Sequence, residues 1–442
     1  MTKPPRSPAP GGPAHDREWP ALAVIFLLAL LVRVAYVLTL EPRSFWFDGQ
    51  RYARLALGLL QHGTYLNDRG RPTAYWPPGY PLFLAAVYRC FGASIVAVRL
   101  AQGLLGAGTV VLVHRIARRV LDPAGARLAA LATALYPLFI YSAGADMPVT
   151  LLIALLCGGV LLAIVAVERD SAAAALGAGV VGAWAVLTAG STLPAFLLLV
   201  LWMAWCRDGR LGGPQEPPAA AAPRRGGARG LRLALLCLLP IVLVLGAWTL
   251  RNQRAFGQPV LLSTNGGYNF WLGNHPGVTA RTGNLITDPG MQAEADRIWD
   301  LPGNEATRDA VFSRLAVGYI TSDVPRFLRL SADKLLAFWA LTTEPMTTNR
   351  PHLGLEKLAS ILSYGLLLPF ALAWLLLSLP RSRVAVLVLL LFVVYSIAHA
   401  VILSKVRFRL PLDPFMILYG CGGVVASFRA LSRRLAKPRT AP

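Results

Sequence analysis

The chain has 442 residues, 55% of them hydrophobic and 15% charged, with a mean hydropathy of +0.53. That composition excludes a soluble globule, in which about a quarter of residues are charged. The formal charge of +21 raises nucleic acid as a partner, but the arginines collect in alternate short loops. This is the positive-inside pattern of a multi-pass membrane protein, and nucleic acid is not called for.

A Pro/Gly-rich run from Lys3 to Pro13 lies in an N-terminal segment, 1–18, expected to be disordered and cytoplasmic. It is followed by the first of ten apolar segments able to cross or nearly cross a bilayer, which needs about 20 residues per helix. In order they are Trp19 to Leu40, Ser94 to Val113, Ala124 to Tyr141, Met147 to Val167, Ser171 to Leu187, Thr192 to Cys206, Leu233 to Leu250, Leu358 to Leu379, Val384 to Ser404 and Pro411 to Phe428. The fifth and sixth are short. The expected class is an all-α polytopic membrane protein in which the first span acts as a signal anchor. The expected units are an N-terminal block, 19–206, a cytoplasmic linker, 207–230, a helix, 231–250, an external domain, 251–356, C-terminal spans, 357–430, and a basic tail, 431–442.

Loop charges set the sidedness. Arg115, Arg118, Arg119, Arg207, Arg210, Arg381, Arg383, Arg433 and Arg434 mark one side as cytoplasmic, with both termini on it. The first loop, 41–93, and the 251–356 segment then face outward. In the first loop, Tyr52, Leu55, Ala56, Leu59 and Leu60 recur at helical spacing, so Gly49 to Gln61 reads as an amphipathic helix at the interface with Asp48 as its N-cap. Tyr80 to Phe91 is a second short helix, closed by Gly92. In the external segment, Asn304 caps a helix to Ile320, and Ser322 or Asp323 caps another with Pro325 in its first turn.

Asp48 carries the first chemical expectation. A cap accounts for an isolated aspartate, but this one lies among aromatic and proline residues (Phe45, Trp46, Tyr75, Trp76, Pro77, Pro78) that form rigid walls. A carboxylate in such a setting suits a general base toward a hydroxyl or amine. Asp146, between spans three and four, is either a cap for span four or a second acid of the same cavity. Together the two carboxylates could divide base and orienting roles or hold a divalent cation.

Lys405, Arg407 and Arg409 place three cations in five residues on the external face, against the positive-inside bias, and read as a phosphate or diphosphate site. Arg33, inside span one, must face the bundle or a polar cavity, where it could pair with a carboxylate or reach a lipid phosphate. Arg99, near the start of span two, reads as snorkelling. The five cysteines and six histidines show no metal-ligand spacing, and no glycine-rich nucleotide motif follows a strand.

Taken together, Asp48 with Tyr52, Pro77 to Pro81 with Tyr80, Arg251-Asn252, the Ser263 to Gly277 run and Arg407 to Pro414 resemble the GT-C membrane glycosyltransferases. The resemblance is to the bacterial branch of family 39, related to protein O-mannosyltransferases and the lipid A aminoarabinose transferase, and it covers nearly the whole chain. It implies transfer of a hexosyl or pentosyl unit from a polyprenyl-phosphate carrier to a lipid, glycan or protein acceptor, outside the inner membrane and with inversion. Asp48 would be the base and Asp146 a second acid; Arg33, Tyr52, Tyr80, Lys405, Arg407 and Arg409 would contact substrate. Relatives carry a basic residue after Leu-Thr, whereas this chain reads Leu187-Thr188-Ala189. The alternative reading is a transporter or flippase for polyprenyl-linked lipid.

Overall fold

A computed structural model describes residues 18–44, 47–212, 228–280, 286, 288–341 and 358–436. Phe45, Trp46, most of the expected linker and both terminal segments lie outside the described residues. Eighteen helices order the described chain: α1 (Glu18–Leu38), α2 (Phe47–His62), α3 (Gly79–Phe91), α4 (Ile95–Val120), α5 (Pro123–Leu135), α6 (Pro137–Gly144), α7 (Val149–Arg169), α8 (Ala172–Thr188), α9 (Leu193–Trp205), α10 (Ala228–Phe256), α11 (Gly266–Asn274), α12 (Pro289–Trp299), α13 (Glu305–Ser322), α14 (Val324–Phe338), α15 (Leu358–Arg381), α16 (Arg383–Val401), the single turn α17 (Val406–Arg409) and α18 (Asp413–Leu435). Only an isolated bridge between Leu66 and Pro72 pairs backbone in β fashion among the described residues.

Seven of these helices are long and apolar enough to cross a bilayer, and the bent pair α5–α6 makes an eighth. The two segments expected to be short, α8 and α9, are shorter apolar helices. Leu27, Leu31, Leu201, Leu243 and Leu376 lie exposed on the outside of the spans, the surface a hydrocarbon solvent stabilises. One end of the bundle gathers the basic loops into ion pairs: Arg118 with Glu18, Arg229 and Arg232 with Asp170, Arg383 with Asp208, and Arg429 with Asp122. α2, α3, Asp146 and the 257–341 segment lie at the other end.

Sequence chemistry explains the bend in the third span. Pro137 has no N–H to give to the Thr133 carbonyl, so the helix breaks at Tyr136 with a 43° turn. The carbonyls this strands are taken up by Arg33, whose Nη1 donates to Ala134 O at 2.9 Å and whose Nη2 donates to Thr133 O at 3.4 Å. Arg33 is fully buried, and a side chain at Gly106 would strike its Nε at 2.7 Å. Its charge therefore sits on carbonyl dipoles inside the bundle, with no carboxylate in contact.

The segment between α10 and α15, expected to be external, has its own apolar core among the described residues, with Trp271, Met291, Ile298 and Phe312 at its centre, separate from the core of the bundle. Asn304 caps α13 by accepting from Thr307 N at 3.1 Å, and Asp323 caps α14 by accepting from Arg326 N at 2.9 Å. The domain is clamped to the end of α16. Lys334, 2% exposed, donates to Asn274 Oδ1 at 3.1 Å and Ile402 O at 3.2 Å, and Asn274 Nδ2 donates to Val401 O at 3.0 Å. Burial pulls the Lys334 ammonium down to about 7, aided by the nearby Arg326 charge. This clamp fixes the start of the Lys405–Arg409 segment.

Candidate active site

The first loop is held from three directions. Arg251, near the C-terminal end of α10, donates from Nη1 to Thr73 O and from Nη2 to Tyr65 O, both at 2.7 Å. Glu305, in the first turn of α13, accepts from Thr73 Oγ1 at 2.9 Å and from the Ala74 amide. The Ala74 carbonyl in turn accepts from Thr264 N at 2.9 Å, joining the first loop to the Ser263–Gly277 run. Trp184 Nε1 donates to Gly79 O at 3.0 Å, and a side chain at Gly79 would enter the Leu187–Thr188 backbone.

On this frame α2 begins one residue ahead of Asp48, so Asp48 belongs to its first turn and does not cap it. Its carboxylate accepts no hydrogen bond from another described residue. The reading of Asp48 as an N-cap is thereby corrected, and its placement has no local structural account beyond the helix dipole. Asp48 and Tyr52 share one face, four residues apart. Both feel the charge of Arg407, half-buried on α17, whose guanidinium lies 5.2 Å from the Phe408 ring. Burial raises the Asp48 carboxyl above the ordinary aspartate range, and Arg407 opposes the rise. Burial lowers Arg407, and Asp48 opposes that in turn. Lys405 stands half-buried just before α17.

Aromatic groups flank the pair. Tyr52 meets Tyr80 edge to face at 5.1 Å and Trp76 at 6.2 Å, and Tyr75 packs on Trp76 at 4.5 Å. The Tyr75 hydroxyl is raised by burial first and then by the charges of Tyr268, Asp48, Asp309 and Glu305. Asp309, also on α13, accepts from Gly267 N at 2.7 Å and Tyr268 N at 3.2 Å, which fixes the start of α11. Burial pushes the Asp309 carboxyl up to about 6 despite those amides. Sequence reading missed Glu305 and Asp309 as parts of this wall, although their four-residue spacing after the Asn304 cap put them on one helix face.

Other expected site residues have different positions. Arg409 is fully buried: Nε pairs with Asp413 Oδ1 at 3.0 Å, Nη1 donates to Ala340 O at 2.9 Å, and the guanidinium lies 3.6 Å from the Tyr364 ring centre. It is closed off from a ligand, and the phosphate expectation for it is withdrawn. Arg33 is likewise closed off by carbonyls. Tyr80, also buried, donates to Gln102 Oε1 at 3.0 Å, and Gln102 Nε2 donates to the carbonyls of Ala143 and Ala145. It braces the turn that carries Asp146. Arg99, read as snorkelling, is 1% exposed and ties Glu41 O and Arg43 O at 2.7 and 2.9 Å.

Asp146 does not cap α7, whose first flanking residue is Pro148 with no side-chain cap. Its Oδ2 accepts from Ser44, and the carboxylate sits directly against Gly49, where a Cβ would collide with it. Burial raises its carboxyl, opposed by the Ser44 hydroxyl, its own amide and Arg99. Among the described residues no three histidine, cysteine or carboxylate side chains converge as a metal site.

The architecture is that of a polytopic membrane protein in which a first-loop carboxylate is electrostatically coupled to an arginine at the entry to the last span. The fold is that of the GT-C membrane glycosyltransferases. Residues 76–211, less than a third of the chain, match the family model of dolichyl-phosphate-mannose-protein mannosyltransferases. The oligosaccharyltransferase AglB of Archaeoglobus fulgidus, solved with an inhibitory peptide and a dolichol-phosphate, aligns at a TM-score of 0.54 and 16% identity over 97% of this chain and 52% of that one. The apo form of the Archaeoglobus fulgidus oligosaccharyltransferase aligns at 0.52 and 15% over 96% and 53%. ArnT of Cupriavidus metallidurans bound to undecaprenyl phosphate gives 0.40 and 18% over 95% and 80%. The chain thus spans about half the length of the archaeal enzymes. No curated protein matches it by sequence.

Proposed function

We propose that this chain is a membrane glycosyltransferase that moves a sugar from a polyprenyl-phosphate carrier to a lipid, glycan or protein acceptor on the external face, with Asp48 as general base. The observation that carries the reading is the half-buried Asp48 carboxylate, which accepts no hydrogen bond from another described residue and is electrostatically coupled to Arg407 at the last-span entry. In the reaction, Asp48 takes the proton of an acceptor hydroxyl or amine as that atom attacks the anomeric carbon. The bond from that carbon to the phosphate oxygen breaks with inversion, and the carrier phosphate leaves as an anion. Arg407, with Lys405 beside it, stabilises the charge developing on that phosphate. Tyr52 and Trp76 wall the sugar, while Tyr80, Glu305, Asp309 and Arg251 hold the wall in place. Asp146 assists from behind by fixing the first turn of α2 at Gly49.

The shared fold with an enzyme solved holding a dolichol-phosphate supports a lipid-linked donor. The transporter reading is disfavoured because Arg33, a charge deep in the N-terminal spans, is closed off by carbonyls and lines no path. The test is purified protein in proteoliposomes given a polyprenyl-phosphate sugar labelled in the sugar, with extracted membrane glycolipids and proteins as acceptors. The expected result is free polyprenyl phosphate and label in a new product. Intact donor crossing the bilayer with no product would overturn the proposal in favour of transport.

A further inference from the structure

The flank of α2 that carries Gln50, Ala53 and Leu57, opposite Asp48 and Tyr52 on the helix, borders a separate pocket of about 620 Å³, between that helix, the Pro42–Ser44 segment and the start of α4. A volume of this size accommodates a sugar or an ethanolamine-sized head with the first carbons of a tail. Asp146 lies at its floor and is only 5% exposed. Its Oδ2 is held by Ser44, but its Oδ1 is buried and accepts no hydrogen bond from another residue. An unpaired buried carboxylate oxygen costs about 1–3 kcal/mol or more, which a donating ligand would recover. The walls divide by chemistry: Leu57, Leu84 and Val98 are apolar, and Gln50, Arg54 and Ser94 make a polar rim. Arg54 at the rim is turned to Asp68, at 3.1 Å. Pro42–Ser44 follows α1 and Ser94 caps α4, so the pocket opens at the outer ends of two spans, within reach of the bilayer surface.

We propose that this pocket binds a membrane amphiphile whose head carries a hydroxyl or amine, donating to Asp146 Oδ1 while the start of its tail lies on the apolar wall. The site is distinct from the Asp48–Arg407 face: it borders the helix that carries Asp48 through Gly49, Gln50, Ala53, Arg54 and Leu57, and neither Asp48 nor Tyr52 lines it. Two sources share this chemistry, a polyhydroxylated glycolipid head and a lipid amine head.

Full-length protein in nanodiscs is photolabelled, without any sugar donor, by three probes of one diazirine-bearing alkyl tail: a glucoside, a primary amine and a sulfate. The glucoside or the amine is expected to label the Gln50–Leu57 stretch saturably, and whichever does so names the source; the sulfate, which offers no donor and repels the carboxylate, is expected to label it at least ten-fold less. Asp146→Leu is expected to reduce that labelling at least ten-fold. Ala53→Trp, which fills the pocket from a half-exposed wall position and leaves Asp146 in place, is expected to do the same. Equal labelling by the sulfate, or undiminished saturable labelling in either folded variant, would overturn the proposal. Because no turnover is involved, the outcome is independent of whether sugar transfer is the reaction.

Discussion

Two carboxylate–arginine pairs stand close together in this molecule and have opposite surroundings. Arg409 and Asp413 are both fully buried, 3.0 Å apart, with Tyr136 donating to Asp413 at 2.9 Å and Arg409 Nη1 donating to the Ala340 carbonyl at 2.9 Å. Arg407 and Asp48 come from opposite ends of the chain, are half-buried, and feel each other's charge without a direct ion pair. A pair in direct contact and sealed from solvent holds one packing arrangement, while a pair left partly exposed can be completed by a substrate. Two residues along one turn of helix separate a structural arginine from one available to a phosphate.

That contrast can be broken by substitution. Asp48→Asn should lower sugar transfer by about 10²–10⁴-fold, the usual range for losing a general base, with an unchanged melting temperature in detergent. Arg407→Gln should cost about 100-fold in kcat, as expected for one charge-stabilising group, again with the fold intact; single-turnover kinetics would show it. Asp413→Ala should act in the opposite manner, leaving Arg409 as an unpaired buried charge at a cost of about 3–5 kcal/mol. Thermal unfolding would register this as a large loss of stability, and activity would fall only with the folded fraction. A smaller effect is expected from Asn304→Ala, which removes the α13 cap and the Asn304 Nδ2 donation to Phe256 O at 2.9 Å. About 1 kcal/mol of stability should go, with the acidic wall loosened enough to raise KM before kcat.

How much of this could be read from the sequence follows from the range of the interactions. Hydropathy, which is local, located the spans, including the two short ones, and the spacing of Tyr52, Leu55 and Ala56 located α2. The caps at Asn304 and Asp323 are encoded within three residues of the helices they start. The fate of the charges was less legible, because it depends on partners far along the chain. Arg33 donates to carbonyls stranded by Pro137, about a hundred residues away. Arg99 binds the Glu41 and Arg43 carbonyls, and Asp146 is held by Ser44. Arg409 is the exception: its partner lies four residues ahead, and the Arg409-to-Asp413 spacing on a helical run was a signal that three clustered cations obscured.

The coupling of Asp48 to Arg407 is tested most directly by the acidic limb of the pH–rate profile for sugar transfer, compared between the parent protein and Arg407→Gln. Asp48 works as a base only when deprotonated, so the rate must fall as pH drops through its pKa. Burial raises that pKa above the ordinary aspartate value of about 3.9, and Arg407 holds it back. The parent limb should therefore lie above the ordinary range, and removing Arg407 should move it to still higher pH. A limb that stays in place or shifts to lower pH in Arg407→Gln would contradict the pairing on which the proposed mechanism rests.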